Sequence, residues 1–180
     1  NNKWGFMDIN GCEIVPLIYD GFYEIPNGMA KVKKYGNWGV IDTNCNEVIS
    51  CEYDEIEEFH HGVAKVKVAG KWGYINLEGK EIISCTYDEI GFFSEGTAKA
   101  KKYGKWGYID EKGNEIIPCS YDVICSFTDG IAYAMRKGKW GIVDTNGSEI
   151  IQCAYNTLRD LPENLDNDYD APLNLSFPNQ

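Results

Sequence analysis

GKWGYI, residues 70–75, recurs letter for letter at residues 104–109, and looser copies stand at 35–41 and 138–143. Working outward from the Trp-Gly pair, Trp4, Trp38, Trp72, Trp106 and Trp140 follow one another at intervals of 34 residues without insertion or deletion. Glu13, Glu47, Glu81, Glu115 and Glu149 keep the same interval, and so do Tyr19, Tyr53, Tyr87, Tyr121 and Tyr155. Several columns in one register establish a tandem repeat, whose unit begins W-G-x-I-D-x-x-G-x-E-I-I-x-C-x-Y-D and continues to a small-apolar and lysine-rich run before the next Trp.

A period of this length also belongs to helix-pair repeats, so the hydrophobic pattern has to arbitrate. AKVKKY-like segments such as residues 98–103 alternate small apolar and charged residues. Residues 105–110 (KWGYID) and 115–124 (EIIPCSYDVI) are rich in β-branched and aromatic residues. Each unit therefore reads as three short strands. Turn residues separate them: Tyr103-Gly104-Lys105 between the first two, and residues 111–114 (EKGN) or 145–148 (TNGS) between the second and third. The expected fold is all-β, a tandem array of 34-residue, three-stranded antiparallel β-meanders.

These columns resemble the WG-containing repeat, a bacterial β-repeat named for its Trp-Gly pair, from Lys3 to about Leu161. The resemblance implies a structural or interaction module, found in tandem arrays and often joined to other domains, with no catalytic residue to carry over. Five repeats are expected within 1–163, at about 4–37, 38–71, 72–105, 106–139 and 140–163, the last one partial. Residues 164–180, acidic and rich in Pro and Asn, are expected to cap the array or link it onward. Asn164 and Asp166 depart from the Gly and Ala columns. The tail lacks the A-K-V-K pattern that a ring-closing strand would need, so an open, twisted array is favoured over a closed five-bladed, propeller-like ring.

Each column has a structural and a functional reading. The indoles could form a stacking row for sugars, but the Gly after every Trp suits a large ring lying over backbone, so the Trp and Tyr columns are read as framework. Cys51, Cys85, Cys119 and Cys153 share their column with Leu17, which marks a buried apolar slot; Cys12, Cys45 and Cys125 fall in turns or loops, Cys45 where Gly79 stands in the next copy. The Asp of each Tyr-Asp pair is expected to cap backbone amides. The lysine-rich strands are expected to form a solvated face opposite the Glu column. No metal site and no cofactor are expected: Cys-x-x-Cys spacing, calcium-loop spacing, GxGxxG, P-loop and HExxH are all absent from the sequence. The only histidines, His60 and His61, have no recurring triad partner.

The variable part is the stretch between the Tyr-Asp pair and the Gly before the lysine-rich run: residues 21–27, 55–61, 89–95 and 123–129. Repeat scaffolds commonly place binding residues in such segments. Tyr23, Glu24, His60, His61, Phe92, Glu95 and Asp129 are the candidate binding residues.

With 43% hydrophobic and 13% aromatic residues, the chain is equipped to bury a core. Its net charge of -11, from 28 acidic against 17 basic residues, disfavours a nucleic-acid partner. No apolar run is long enough to insert in a bilayer. The chain opens at Asn1 and is expected to be a fragment or processed product. An odd cysteine count without clustering leans towards a reducing, cytoplasmic compartment, with the cell envelope or secretion as the alternative. The leading functional expectation is a non-catalytic scaffold that binds a protein or peptide as one module of a larger protein. A cell-envelope glycan-binding module is second, and a targeting arm for an enzymatic domain elsewhere is third.

Overall fold

The computed structural model describes residues 3–7, 9–11, 13–25 and 28–162. The expected tail at 164–180 lies outside the described residues, as does Cys12. The strands are β1 (Trp4–Met7), β2 (Glu13–Tyr19), β3 (Gly21–Ile25), β4 (Met29–Lys34), β5 (Asn37–Ile41), β6 (Glu47–Tyr53), β7 (Glu55–Ile56), β8 (Val63–Val68) and β9 (Lys71–Asn76). They continue with β10 (Glu81–Tyr87), β11 (Glu89–Ile90), β12 (Thr97–Lys102), β13 (Lys105–Asp110), β14 (Glu115–Tyr121), β15 (Val123–Ile124), β16 (Ile131–Arg136), β17 (Lys139–Asp144) and β18 (Glu149–Tyr155). A 3-10 turn at Leu158–Asp160 follows.

Five antiparallel sheets result: β1–β2, then β3 to β6, β7 to β10, β11 to β14 and β15 to β18, each in sequence order. Among the described residues none of these sheets closes on itself, and no strand of the first sheet pairs with one of the last. The three expected strands are present in the first four units, and a short fourth one, formed by the residues after the Tyr-Asp pair, precedes β4, β8, β12 and β16, the last of which carries no lysine. Sheets and sequence units are out of phase. The sheet β11 to β14 takes its first two strands from the repeat that begins at Trp72 and its last two from the repeat that begins at Trp106, so neighbouring repeats are interlocked.

Turn chemistry explains the hairpins. Tyr103 and Gly104 both have positive φ, 52° and 75°, the two-residue turn whose twist matches the flanking strands. In the next turn the Asp110 carboxylate accepts the N–H groups of Lys112 at 2.9 Å and Asn114 at 2.8 Å. Between β13 and β14 the register slips, Trp106 facing Tyr121 but Tyr108 facing Ile117, so β14 bulges opposite Gly107. A Cβ on Gly107 would lie 2.3 Å from the Ile117 carbonyl oxygen. The backbone does approach the Gly of each Trp-Gly pair, but it is the third strand's carbonyl that excludes a side chain, not the indole.

Strand alternation gives each sheet two faces. Ala98, Ala100 and Ile109 with Ile90 form one, and they pack on Tyr74, Ile83 and Tyr87 of the preceding sheet. Tyr108, Ile117 and Tyr121 form the other and meet Ile124, Ala132, Ala134 and Val143 of the following sheet. The last such face is covered by Leu158 and Leu161. Consecutive sheets are also tied by the Tyr-Asp pair: the Asp88 carboxylate accepts the Gly104 N–H at 2.8 Å and pairs with Lys71.

Three expectations are corrected. The indoles, read as framework, stand at the margin of the core: Trp38, Trp72 and Trp106 are half-buried and pack against the core clusters, Trp140 is half-buried, and Trp4 is exposed. They share a strand face with the lysines, so the lysine-rich face is not freely solvated: Lys65 and Lys67 stand 4.2 and 4.9 Å from the Trp72 ring, and Lys99 and Lys101 stand 4.4 and 5.0 Å from Trp106. Burial accordingly lowers the Lys31 and Lys99 pKa values. The cysteine column is half-buried rather than buried, and its first member, Leu17, is open to solvent. The variable stretch of the first copy is likewise no loop at its start, since Gly21–Ile25 pairs with β4 along its length.

Candidate functional site

The variable stretches after β7, β11 and β15 form a second set of tight hairpins. Glu57 donates its N–H to the Lys65 carbonyl at 2.9 Å, and His60 and Val63 exchange backbone hydrogen bonds of 2.9 and 3.1 Å. His61 and Gly62 then occupy the turn with φ of 52° and 82°. Ser94 with Thr97 and Thr128 with Ile131 repeat this arrangement, which puts Glu95 and Asp129 in the same positive-φ position as His61. The hairpins have one frame and carry different side chains on it.

Between the first two of these hairpins lies a groove of about 630 Å³. Glu57, Glu58, His60 and His61 of the first hairpin line it together with Phe92 and Phe93 of the second, the buried Tyr74 and Ile83, and Glu111. Tyr74 donates its hydroxyl to the Gly91 carbonyl at 3.2 Å and meets Phe93 edge-on at 5.3 Å. Burial, reinforced by Glu57, pushes the Tyr74 hydroxyl up to about 12, so it stays a donor at neutral pH. Lys65 crosses the groove floor: its Nζ pairs with Glu57 at 2.9 Å and lies 5.6 Å from the Phe92 ring as well as over Trp72. Phe92 itself is 73% exposed, a large apolar side chain beside carboxylates and imidazoles.

The structure therefore brings His60, His61 and Phe92 together. It places Tyr23 and Glu24 elsewhere: Tyr23 packs 5.6 Å from Trp38, and Glu24 lines a second cavity of about 610 Å³ beside Phe22 and Met29. Glu95 and Asp129 are hairpin-turn residues outside the groove. Lys65, Tyr74 and Glu111 escaped the sequence reading. They belong to strand or turn columns, and only the stacking of two sheets turns them towards the variable hairpins. The framework recurs one junction on, where Tyr108 donates to the Cys125 carbonyl at 3.1 Å and packs on Phe127, but Ser94, Glu95 and Ser126 stand in place of His60, His61 and Phe92.

Among the described residues no group of three His, Cys, Asp or Glu side chains could hold a metal ion, and no helix is long and apolar enough to cross a membrane. The half-buried thiols face backbone, Cys85 Sγ lying 3.8 Å from the Val66 carbonyl and Cys119 Sγ 3.6 Å from that of Ala100. Burial, with Glu81 and Glu115 respectively adding to it, pushes both thiols up to about 11, away from the reactive thiolate form.

The model of the family described as WG containing repeat matches residues 4–38, 38–72, 72–106, 106–140 and 140–165. No curated protein matches the sequence. Among solved structures the chain is similar to Kluyveromyces lactis Hsv2p, at 8% identity over 71% of this chain and 46% of that one, with a TM-score of 0.37. It is similar also to a eukaryotic initiation factor (12% identity, 73% and 42%, TM-score 0.42) and to the N-terminal domain of Nup159 (11% identity, 91% and 49%, TM-score 0.39). The chain spans less than half the length of these structures.

Proposed function

Because the chain belongs to the WG-containing repeat family, we propose that it is a non-catalytic scaffold whose groove between the β7–β10 and β11–β14 sheets binds an extended segment of a protein partner. The observation that carries this reading is the convergence of His60, His61 and Phe92 on one junction of an otherwise repeating frame. A rigid scaffold with one distinctive junction is how repeat proteins build a specific surface. Phe92 offers an apolar contact, and Glu57, Glu58 and Glu111 set an acidic rim, which suits a segment with a bulky apolar residue flanked by Lys or Arg. A glycan-binding row of open indoles is less well served, since Trp38, Trp72 and Trp106 each lie under lysine ammonium groups.

Panning the protein against a random-peptide library tests the reading. The expected binders carry an apolar residue beside basic ones and lose at least about tenfold in affinity on Phe92→Ser or His60→Ser, each the residue found at the equivalent place one repeat on. Both variants should keep the wild-type circular dichroism. Binders indifferent to both substitutions, or hits confined to a glycan array and lost on Trp72→Ala, would refute it.

A further inference from the structure

The two-residue turns that join β8 to β9, β12 to β13 and β16 to β17 stand in one row. The Asp88 carboxylate pairs with Lys71 beside the first turn and accepts the Gly104 N–H of the second at 2.8 Å. Asp122 in the same way links Lys105 to the third turn, accepting the Gly138 N–H at 3.2 Å. β8 starts after the hairpin at His61 and Gly62 and ends at the turn of Ala69 and Gly70. The row therefore lies at the opposite edge of the array from the variable hairpins, and its role is independent of the groove at Phe92.

This row is basic in an acidic chain. Residues 67–71, 101–105 and 135–139 carry two, three and three basic residues and no acidic one, although the net charge of the whole is -11. Part of that charge is answered locally, Lys101 by Glu89 at 3.2 Å and Arg136 by Glu149. Lys102, Lys137 and Lys139 take no part in any ion pair of the described residues. Lys139 meets only the uncharged Asn156, and the Lys102 ammonium stands 5.3 Å from the Tyr87 ring and 5.8 Å from that of Tyr103. Tyr103 is 86% exposed and holds a φ of 52°, at a turn position where Asn, Asp or Gly is the usual residue. Its ring belongs to neither of the core clusters beside it, so neither the backbone nor the core explains a tyrosine there.

We propose that this row of turns docks an acidic segment of a partner polypeptide. The exposed Tyr103 ring packs on an apolar or aromatic residue of the segment, and Lys102, Lys137 and Lys139 pair with its carboxylates. Carboxylates spaced along a peptide suit the row better than a dense polyanion does, because Asp88, Glu89 and Asp122 stand among the lysines and the chain as a whole is negative. The turns at the other edge offer no such surplus, since Lys80 and Lys112 share theirs with Glu78 and Glu111.

The test uses the whole chain and a synthetic peptide of repeating Asp-Gly-Phe-Gly, labelled for fluorescence anisotropy, with an Asn-Gly-Phe-Gly version as control. Tyr103→Ala gives the turn the residue that Ala69 already supplies one copy earlier, at a φ of 49°, so the fold is kept. The expected result is saturable binding of the acidic peptide, weakened about tenfold by Tyr103→Ala and about tenfold by Lys137→Gln with Lys139→Gln, and lost for the Asn version. Phe92→Ser, and Lys80→Gln with Lys112→Gln at the other edge, should leave it unchanged. Equal weakening by the Lys80 and Lys112 pair would reveal a general attraction of charge and overturn the proposal. Full binding to Tyr103→Ala, no saturable binding, or tighter binding of inorganic tripolyphosphate than of the peptide would overturn it too. So would a concentration-dependent oligomer that the Lys137 and Lys139 substitutions abolish, since a second copy would then hold the row.

Discussion

The α-carbon of Gly73 lies against the backbone of the neighbouring strand so closely that a Cβ there would sit 2.4 Å from the carbonyl oxygen of Ile83 and 2.8 Å from the amide nitrogen of Cys85. Nothing flexible can yield, because both atoms belong to a hydrogen-bonded bulge. Gly73→Ala is therefore expected to cost on the order of 3 kcal/mol. Gly62, whose Cβ would meet nothing within 4 Å and whose only demand is a φ of 82°, should cost about 1 kcal/mol on the same substitution. Urea titrations of the two variants measure the difference; equal destabilisation would show that the close approach is not what fixes the Gly.

That relationship also marks where the sequence was informative. The Trp-Gly pair, the turn at Asp110 to Gly113 and the period were legible because each is a local demand repeated in register. The phase of the sheets was not, since a repeat has no intrinsic start and only the pairing of Lys67 with Trp72 shows that strands from two units share a sheet. The same pairing hid the fate of the lysines: alternation placed Lys65 on a polar face, but only the neighbouring strand shows that Trp72 occupies that face too. The groove was half legible. His60, His61 and Phe92 stood out as variable, yet their meeting depends on the packing of consecutive sheets, which no residue column encodes.

Trp72 and Trp140 occupy equivalent positions with different neighbours. Trp72 carries Lys65 and Lys67, whereas Tyr133 and Met135 take those places beside Trp140. Trp72→Ala is expected to cost about 2 kcal/mol, less than a fully buried indole, and to broaden the melt by weakening the middle of the array. Replacing Lys65 and Lys67 together by Met should cost about 1 kcal/mol, part of it ion pairing with Glu57. Calorimetry of these variants checks both; an unchanged, sharp transition for Trp72→Ala would contradict the framework role.

Cys45 holds a positive φ of 66° at a turn where Gly79, Gly113 and Gly147 hold 76°, 82° and 83°. A residue with a Cβ is strained there, and its thiol only partly covers the first core cluster. Cys45→Gly should raise stability by about 1 kcal/mol, read as a higher denaturation midpoint without a change in slope. A loss of stability would mean that the thiol's packing outweighs the backbone strain.

The Tyr-Asp links make the array acid-sensitive in a direction that follows from their contacts. Asp20, Asp88 and Asp122 have carboxyl pKa values held below the ordinary 3.8, first by hydrogen bonds from Lys3, Lys71 and Lys105, with backbone N–H groups adding to this. A depressed folded-state value means that the contribution is complete above 3.8 and is lost as pH falls below it through the folded value. The fifth copy supplies a natural control, because Asn156 stands in place of the Asp and still accepts a hydrogen bond from Lys139 without titrating. Asp88→Asn should therefore leave the chain less stable at neutral pH, since the charge on the Lys71 partner goes unmatched, while flattening the fall in stability below 3.8. Denaturation midpoints of wild type and variant across that window decide the matter. Parallel curves for the two proteins would show that the acid response comes from other carboxylates, and Asp42 and Asp110, lowered chiefly by Asn46 and Asn114 in the turns, would be the next to replace.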